Sequence, residues 1–428
     1  MFTAFSTALS ALNADSTAIN VVGNNLANLN TTGFKESDVS FHDLVSQSMG
    51  AAQGKTQVGL GVATPLTTRQ FSQGTLQASS GQLDAAIQGN GFFMVKDPST
   101  NATLYTRAGD FQVDANGNLT TSTGQNVQGW TMTNGALSTT GAISNIQIPV
   151  GQLRKAEATT TMSVSANLNA AAVSGVTTGN TADSFSTPIQ VIDSLGNPLV
   201  MTETFTKDPK TPLTWSYQIT IPGEATTAGV AGTPTNLLTT AGVLTFDSSG
   251  KLLTPAVDGG AIKVTVKGLK SDAADLNITL NLYGADSTPN ITQFSAASAT
   301  SAQSQDGVAS AQIISVGMGD GGQVVAQYSN GTQQVVAQLA VASIRNPGSL
   351  IAVGDNNYQA SQQTAQPAIG EANTGGRGDI KGGELEASTV DIAKEFTNLI
   401  VLQRAYQANG KVITTGDQLS QVTISLMT

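Results

Sequence analysis

Residues 2–35 read FTAFSTALSALNADSTAINVVGNNLANLNTTGFK, a heptad repeat that ends abruptly in a cluster of asparagines. Two sets of residues are each spaced seven positions apart, like the a and d positions of a coiled coil. The first row consists of Phe5, Leu12, Ile19 and Leu26, and the second begins with Phe2 and Leu9 and continues through Ser16 and Gly23. The spacing predicts an N-terminal coiled-coil helix over residues 1–28.

A second heptad repeat lies at the other end of the chain. Its main row consists of Ile392, Leu399, Tyr406 and Ile413, and its companion row contains Phe396 and Ile424 with weaker members at Gln403, Gly410 and Asp417. Ser388 and Asp391 can form a capping box, so the pattern predicts a helix over 388–428. Each seam needs a partner, which favours pairing of the two helices; the alternative is that both pack against a globular core.

The central part of the chain has the alternation and turns of β-structure. Asn116-Gly117 and Asn330-Gly331 are strong hairpin signals. Two zones of low complexity, 159–190 and 295–305, indicate an inserted domain. We therefore predict an α+β multidomain protein with paired terminal coiled-coil helices and two mainly β domains, the outer one inserted in the inner. The predicted segments after the N-terminal helix are a connecting segment 29–70, an inner β domain of 71–149 and 307–370, an outer β domain 150–306 and a linker 371–387.

Composition narrows the classes of function. The 428 residues carry a net charge of −10, and only 11% of them are charged. This balance argues against nucleic acid or an anionic membrane as partner, since both attract clustered Lys and Arg. The chain has no cysteine and a single histidine, His42, which leaves little scope for catalysis or metal binding. We predict no enzyme activity, no cofactor, no metal site and no membrane insertion.

Three short motifs imitate binding sites but are better explained as turns or chance matches. Residues 317–322 match the dinucleotide pattern, yet a strand-like segment follows where such a site needs a helix. Residues 114–125 resemble a calcium loop, but Leu119 and Gln125 stand where the loop needs glycine and glutamate. Residues 377–379 spell the integrin-binding tripeptide Arg-Gly-Asp, a match that arises easily by chance.

Three long stretches resemble bacterial flagellar axial proteins, the family of rod and hook subunits. They are NNLANLNTTGFK at 24–35, AIQGNGFFMV at 86–95 with LYTRAGDFQVDANGNLTTSTGQNVQGW at 104–130, and GELEASTVDIAKEFTNLIVLQRAYQANGKVITT at 383–415. The inserted domain contains VIDSLGNPLVMTETFTK at 191–207, which resembles the outer domain of hook subunits. Rod proteins are considerably shorter, so the resemblance favours the hook members of the family.

The resemblance implies a structural subunit of a tubular helical polymer whose inner tube is lined by the paired terminal helices. It implies a curved, flexible coupling that joins the motor and rod to the filament and transmits torque. The implied partners are further copies of the chain, the distal rod, the hook cap, the hook–filament junction proteins and the flagellar type III export apparatus. The implied location is the extracellular hook of the flagellum, continuous with the basal body rod. A basic segment typical of a secretory signal is absent from the N-terminus, which fits that export route.

The resemblance also assigns roles to residues. The polymerisation helices would use Phe2, Phe5, Leu9, Leu12, Ile19, Leu26, Ile392, Phe396, Leu399, Tyr406, Ile413 and Ile424. The family motif comprises Asn24, Asn25, Leu26, Asn28, Thr32, Gly33 and Phe34. We expect Gly33 to adopt a positive φ and the asparagines to satisfy backbone groups at the helix end. An ordinary helix stop explains the glycine and one asparagine, and subunit contacts explain the others.

Two further interpretations stay open at this point. A distal rod protein with an insertion would differ in rigidity, and residues 36–68 would be the segment that sets its stiffness. An extracellular adhesin, using the inserted domain and the tripeptide at 377–379, would be a stable monomer with a ligand.

Overall fold

The computed structural model describes residues 2–44, 47–48, 57–133, 136–151, 153–173 and 183–427. Parts of the predicted connecting segment, part of the first low-complexity zone and the two terminal residues lie outside the described residues. Two long helices occupy the ends of the chain, α1 at Phe2–Ala27 and α2 at Ile392–Met427. Among the described residues, no helix combines the length and apolar character needed to cross a membrane.

Short strands fill the region between the helices. Those before the insertion are Ser37–Ser40 (β1), Gln47–Ser48 (β2), Gln57–Val58 (β3), Leu66–Arg69 (β4), Leu76–Ala78 (β5), Ala85–Gln88 (β6), Phe92–Lys96 (β7), Thr103–Thr106 (β8), Phe111–Val113 (β9), Leu119–Thr121 (β10), Asn126–Thr133 (β11), Ala136–Leu137 (β12) and Ser144–Asn145 (β13). Those of the insertion are Leu153–Arg154 (β14), Thr161–Asn167 (β15), Ser184–Ile192 (β16), Pro198–Lys207 (β17), Thr214–Ile221 (β18), Thr235–Asn236 (β19), Gly242–Phe246 (β20), Leu252–Thr254 (β21), Ala261–Val266 (β22), Leu276–Asn281 (β23), Ile291–Thr292 (β24) and Ala299–Gln305 (β25). The remainder are Ala311–Met318 (β26), Gln323–Tyr328 (β27), Gln333–Leu339 (β28), Val341–Ser343 (β29), Ile351–Gly354 (β30), Asn357–Gln359 (β31), Ala368–Gly370 (β32), Asp379–Gly382 (β33) and Glu384–Glu386 (β34).

The chain divides into two compact units. Unit 1 consists of Met1–Val150, Ile314–Gln327 and Gln333–Thr428, and unit 2 consists of Gly151–Ile313 and Tyr328–Thr332. One unit is therefore inserted in the other, close to the 150–306 expected from the two low-complexity zones.

Unit 1 contains both helices and a mainly antiparallel sheet. Its strands run in the order β27-β28-β11-β7-β8-β31-β30. Aromatic residues from several of these strands pack together in its core, among them Phe92, Tyr105, Trp130 and Tyr358. The two predicted Asn-Gly hairpins are confirmed. Gly117 has a φ of 83° and lies between β9 and β10, and Gly331 has a φ of 79° and lies between β27 and β28.

Unit 2 is built from two sheets whose apolar faces form one core. One sheet has the order β22-β23-β15-β24, with β25 also paired to β15, and the other has the order β16-β17-β18-β20-β21. Alternation along β17 and β18 directs Met201, Phe205, Trp215 and Ile219 into this core. Glu203 on β17 is directed the same way, although it is a carboxylic acid.

Two boundaries differ from those predicted. The helix expected from Ser388 begins at Ile392, because Asp391 is its N-cap and accepts hydrogen bonds from the backbone N–H groups of Ala393 (2.8 Å) and Lys394 (3.1 Å). Residues 388–390 form neither helix nor strand, and Thr389 donates its backbone N–H to the carbonyl of Phe34 at 3.2 Å. The expected linker 371–387 contributes β33 and β34, which pair with β6 and β5.

Candidate functional site

The two terminal helices form an antiparallel pair. Glu395 in the first turn of α2 lies beside Asn25 near the end of α1, and Asn409 donates from Nδ2 to Asp15 Oδ2 at 2.9 Å farther along. The buried residues of α1 are small or polar: Ala8, Ala14, Asp15, Ala18, Val22 and Asn25. The buried face of α1 is therefore made mainly of small and polar side chains, which let two helices approach closely.

Many large apolar side chains of the pair are exposed instead. On α1 and α2 the exposed ones are Phe5, Leu9, Ile392, Phe396, Ile400, Val401, Tyr406, Val412, Leu419, Val422, Ile424 and Leu426. Exposure reaches 82% at Leu426. So many exposed large apolar side chains on one pair of helices indicate an interaction site.

The residues predicted for the polymerisation helices lie on or beside this exposed surface. Phe5, Leu9, Ile392, Phe396, Tyr406 and Ile424 are exposed, Leu12, Ile19, Leu26, Leu399 and Ile413 are half-buried, and Phe2 begins α1. The heptad rows are thus only partly covered within the single chain, and the fully buried residues of α1 lie beside them. Their role in polymerisation stays a prediction.

The asparagines of the family motif hold the end of α1. Asn25 is buried and donates from Nδ2 to the carbonyl of Ser37 at 2.9 Å, while its Oδ1 accepts the Ser37 N–H at 3.0 Å. Asn28 donates from Nδ2 to the backbone carbonyl and to the side-chain oxygen of Asn24, both at 2.9 Å. The first pair of bonds fastens the helix to β1, and the second satisfies a carbonyl group at the helix end.

Gly33 makes the turn that the sequence predicts. Its φ is 68°, and its N–H donates to the carbonyl of Glu386 at 2.8 Å. A Cβ at this position would lie 2.6 Å from the carbonyl carbon of Arg107 and from the backbone nitrogen of Ala108. Both the backbone conformation and the available space therefore require glycine.

The residues on either side of Gly33 are tied to other parts of unit 1. The Thr32 carbonyl accepts a hydrogen bond of 2.9 Å from Asn356 Nδ2. Phe34 is buried, and its carbonyl accepts the Thr389 N–H. The motif is thus a junction between α1, the sheet and the segment that leads into α2.

Substitution of Gly33 by alanine is expected to destabilise unit 1 by about 3 kcal/mol, because a positive φ and an overlap with fixed backbone combine. Gly23→Ala is the matched control, since Gly23 lies in α1 and a Cβ added there would meet no atom within 4 Å. That change should stabilise the helix by up to about 1 kcal/mol. Thermal unfolding followed by Trp130 fluorescence in a Trp215→Phe background distinguishes the two, and equal melting temperatures would contradict the assignment.

A buried ion cluster lies directly beside this junction. Lys35 Nζ lies 2.6 Å from Glu386 Oε1, and Arg107 Nη1 lies 3.2 Å from Glu386 Oε2. The Lys35 ammonium also donates to the Ser72 carbonyl at 2.6 Å, and the Gly74 N–H donates to Glu386 Oε1 at 2.8 Å. The side chains of Lys35 and Glu386 are fully buried. We call Lys35, Arg107 and Glu386 the junction cluster.

Burial disfavours the charged forms of the two cations in the junction cluster. Burial lowers the pKa of Lys35 and of Arg107, and the nearby Glu386 carboxylate opposes that shift in both. Arg107 also donates to the carbonyls of Ile87 (3.3 Å) and Gly89 (2.8 Å), so several of its N–H groups are satisfied. Sequence reasoning does not identify Arg107 and Glu386 as site residues. The sequence marks these two residues in one way: they are charged, they lie in the stretches that resemble the flagellar family, and charged residues are few in this chain.

The three short motifs that resemble binding sites lie at turns and loops of the structure. The Asp114 carboxylate accepts hydrogen bonds from the backbone N–H groups of Asn116 and Asn118 within its own hairpin. Residues 317–318 end β26, and residues 319–322 form the predicted turn that leads into β27. Arg377 is folded back on its own loop, where Nε donates to the Glu371 carbonyl at 2.9 Å. His42 lies in an exposed segment between β1 and β2.

Comparison with known families covers most of the chain. Four protein-family models match: Flagella basal body rod protein at residues 5–35, Flagellar hook protein FlgE/F/G D1 domain at 86–167, Flagellar basal body protein FlaE D2 domain at 167–308, and Flagellar basal body rod FlgEFG protein C-terminal at 381–426. The helices, the inner domain and the insertion are thus each matched by a flagellar model.

Comparison of the whole chain with individual proteins also finds flagellar hook proteins. The chain is 33% identical to Flagellar hook protein FlgE of Borreliella burgdorferi over 98% of both chains, and 33% identical to that of Escherichia coli over 99% of this chain and all of the relative. It is 34% identical to that of Salmonella typhimurium over 99% of both. The crystal structure of Helicobacter pylori flagellar hook protein FlgE2 matches with a TM-score of 0.53 at 16% identity, covering 73% of this chain and all of that one.

These matches run through both helices, the junction and the insertion, and their full-length relatives are hook proteins rather than rod proteins or adhesins. The chain therefore belongs to the flagellar hook protein family.

Proposed function

We propose that this chain is a structural subunit of the flagellar hook, which polymerises into a curved, flexible tube that couples the rotary motor and rod to the filament and transmits torque. The observation that carries the proposal is the apolar surface on the outside of the helix pair. Residues such as Phe396 and Ile424 are more than half exposed in the single chain. Other copies of the chain cover this surface in the polymer, since leaving it in water is costly.

The two helices are suited to a repeating contact. A single copy presents apolar groups on both α1 and α2, so it can contact more than one neighbour. A head-to-tail contact that does not close on itself generates a helical fibre. The junction cluster and the Asn25–Ser37 hydrogen bonds then connect the helix pair to the sheet of unit 1, so that a force on the helices reaches the β-structure.

The partners follow from the position of a hook. The distal rod contacts one end of the polymer, and the hook cap and later the hook–filament junction proteins contact the other. Before assembly the subunit passes the flagellar type III export apparatus. Family membership supports association with rod and filament components in general, and these particular partners are part of the proposal.

Deletion of the gene in the native host tests the proposed function. We expect complete rods with neither hook nor filament when purified basal bodies are imaged by negative-stain electron microscopy. A plasmid copy of the gene should restore hooks of normal length. Truncated rods would instead assign the chain to the rod, and normal flagella on motile cells would contradict the proposal.

A further inference from the structure

An open groove lies between the helix pair and the strand that follows α1. It has a volume of about 210 Å³ and is lined by apolar residues of both helices together with Asp38 and Glu395. Glu395 is only 1% exposed, and its Oε2 accepts no hydrogen bond from any described residue. A buried carboxylate oxygen without a partner is costly, which indicates that the groove lacks a component in the single chain.

Charge around the groove is unbalanced. Within the described part of the chain, the three carboxylates of Glu36, Asp38 and Glu395 surround a single cation, Lys394. Lys394 Nζ lies 3.0 Å from Glu36 and 3.8 Å from Asp38. Burial raises the pKa of Glu395, the nearby Asn25 amide and the charge of Lys394 lower it, and the other two carboxylates raise it further. A second cation in the groove would relieve this excess of negative charge.

The chain offers such a cation on the opposite side of the same helix. Arg404 follows Glu395 by nine residues, which is two and a half helical turns, so it faces away from its own groove. Its side chain is exposed and reaches no carboxylate among the residues that the structure describes. The exposed Ile400 lies one turn before it on the same outward surface. Covering that surface removes Arg404 from water and makes a carboxylate partner necessary.

We propose that Arg404 of one copy enters the groove of a second copy and pairs with its Glu395 and Asp38. The proposal rests on the proposed function, because it names residues that join subunits of the polymer. The planar guanidinium suits two carboxylates that line one groove, whereas an ammonium acts as a point charge. Because acceptor and donor face opposite sides of α2, the contact is head to tail, the kind of contact that generates a helical fibre when its rotation does not close a ring.

A double-mutant cycle on isolated hooks tests the pairing. Glu395→Gln removes a charge and preserves size, and Arg404→Gln removes a charge and shortens the side chain; each should raise the concentration of free subunit above dissociating hooks roughly tenfold or more. The double variant should be no worse than either single variant, since both changes remove the same contact. Lys411→Gln is the matched control: Lys411 is exposed on the same row of α2, and its effect should add to that of Glu395→Gln.

A proximity measurement separates the pairing from a general change in stability. The chain has no cysteine, so Asp38→Cys and Arg404→Cys can be placed in different copies and mixed in one hook. A short bismaleimide should then give dimers from mixed hooks and none from hooks of either variant alone. Additive effects in the cycle, or hooks without cross-linked dimers, would overturn the pairing and leave the proposed function intact. If the unmodified chain forms no hooks, the proposed function itself fails.

Discussion

Glu386→Gln is expected to destabilise unit 1 by about 3–5 kcal/mol. The substitution removes the only carboxylate of the junction cluster and leaves two buried cations, Lys35 and Arg107, without a counter-charge. An amide retains the volume of the acid, so the loss arises from electrostatics and not from a cavity. Breaking a buried ion pair in this way costs far more than removing an exposed one, because the remaining charge cannot be hydrated.

Thermal and urea unfolding of the full chain provide the measurement. Trp130 lies in the core of unit 1, so its fluorescence in a Trp215→Phe background reports on that unit alone. Glu384→Gln is the matched control, because it makes the same change two residues earlier on the same strand, at a half-buried position. Its effect should stay within about 0.5 kcal/mol. Equal losses of stability in the two variants would show that the junction cluster stabilises unit 1 no more than a half-buried carboxylate does.

The ion cluster also has a consequence for assembly. Its members come from the segment after α1, from the loop after β8 and from the strand before α2. Loss of Glu386 should therefore loosen the connection between the helices and the sheet of unit 1, even if the helices still pair. We expect hooks of this variant to form in lower number and to break more readily under shear than those of Glu384→Gln.

Sequence reasoning succeeds where the determining forces are local. Heptad spacing locates both helices to within a few residues, and the Asn-Gly pairs at 116–117 and 330–331 locate two hairpins. The turn at Gly33 follows from the conformational freedom of glycine. Each of these features depends on residues that are close along the chain.

The misplaced features depend on residues that are far apart in sequence. The segment 371–387 is rich in glycine, which predicts a linker, yet its strands pair with residues 76–88. Ser388 could have capped a helix, but the segment 388–390 instead bonds to the junction through the Thr389 N–H and the Phe34 carbonyl. Heptad rows identify apolar surfaces without saying whether the same chain or another one covers them. Small residues such as Ala18 give no such signal, although they are buried within the single chain.

The core of unit 2 contains a buried acidic residue, Glu203. Glu203 is 2% exposed, and neither of its carboxyl oxygens has a hydrogen-bond partner among the described residues. It is paired in the sheet with Thr187 on one side and Ile219 on the other. The nearest cation on the same face of β17, Lys207, donates to the Ala170 carbonyl and lies over the Trp215 ring. Burial therefore raises the pKa of Glu203 to about 8.

The sign of the pH dependence follows from the direction of that shift. The carboxyl group has a pKa near 4.5 when unfolded and about 8 when folded, so the folded state binds the extra proton between these values. Stability contributed by this group is therefore fully present below pH 4.5 and falls as the pH rises to about 8. The total loss is about 4–5 kcal/mol, since each pKa unit corresponds to about 1.4 kcal/mol. The buried phenol of Tyr217, whose pKa is raised by burial and by the charge of Glu203, titrates only above this window.

Glu203→Gln should abolish this loss, because an amide stays neutral at every pH. The free energy of unfolding of unit 2, followed by Trp215 fluorescence in a Trp130→Phe background, should match the parent at pH 4.5 and exceed it by about 3 kcal/mol at pH 7 and more at pH 9. Glu224→Gln makes the same substitution at an exposed position of unit 2 and should leave the pH profile of the parent unchanged. Parallel profiles for Glu203→Gln and the parent between pH 5 and 9 would mean that the buried carboxyl is ionised in the folded protein. The core of unit 2 would then have to open or rearrange around that charge, since no described residue is placed to neutralise it.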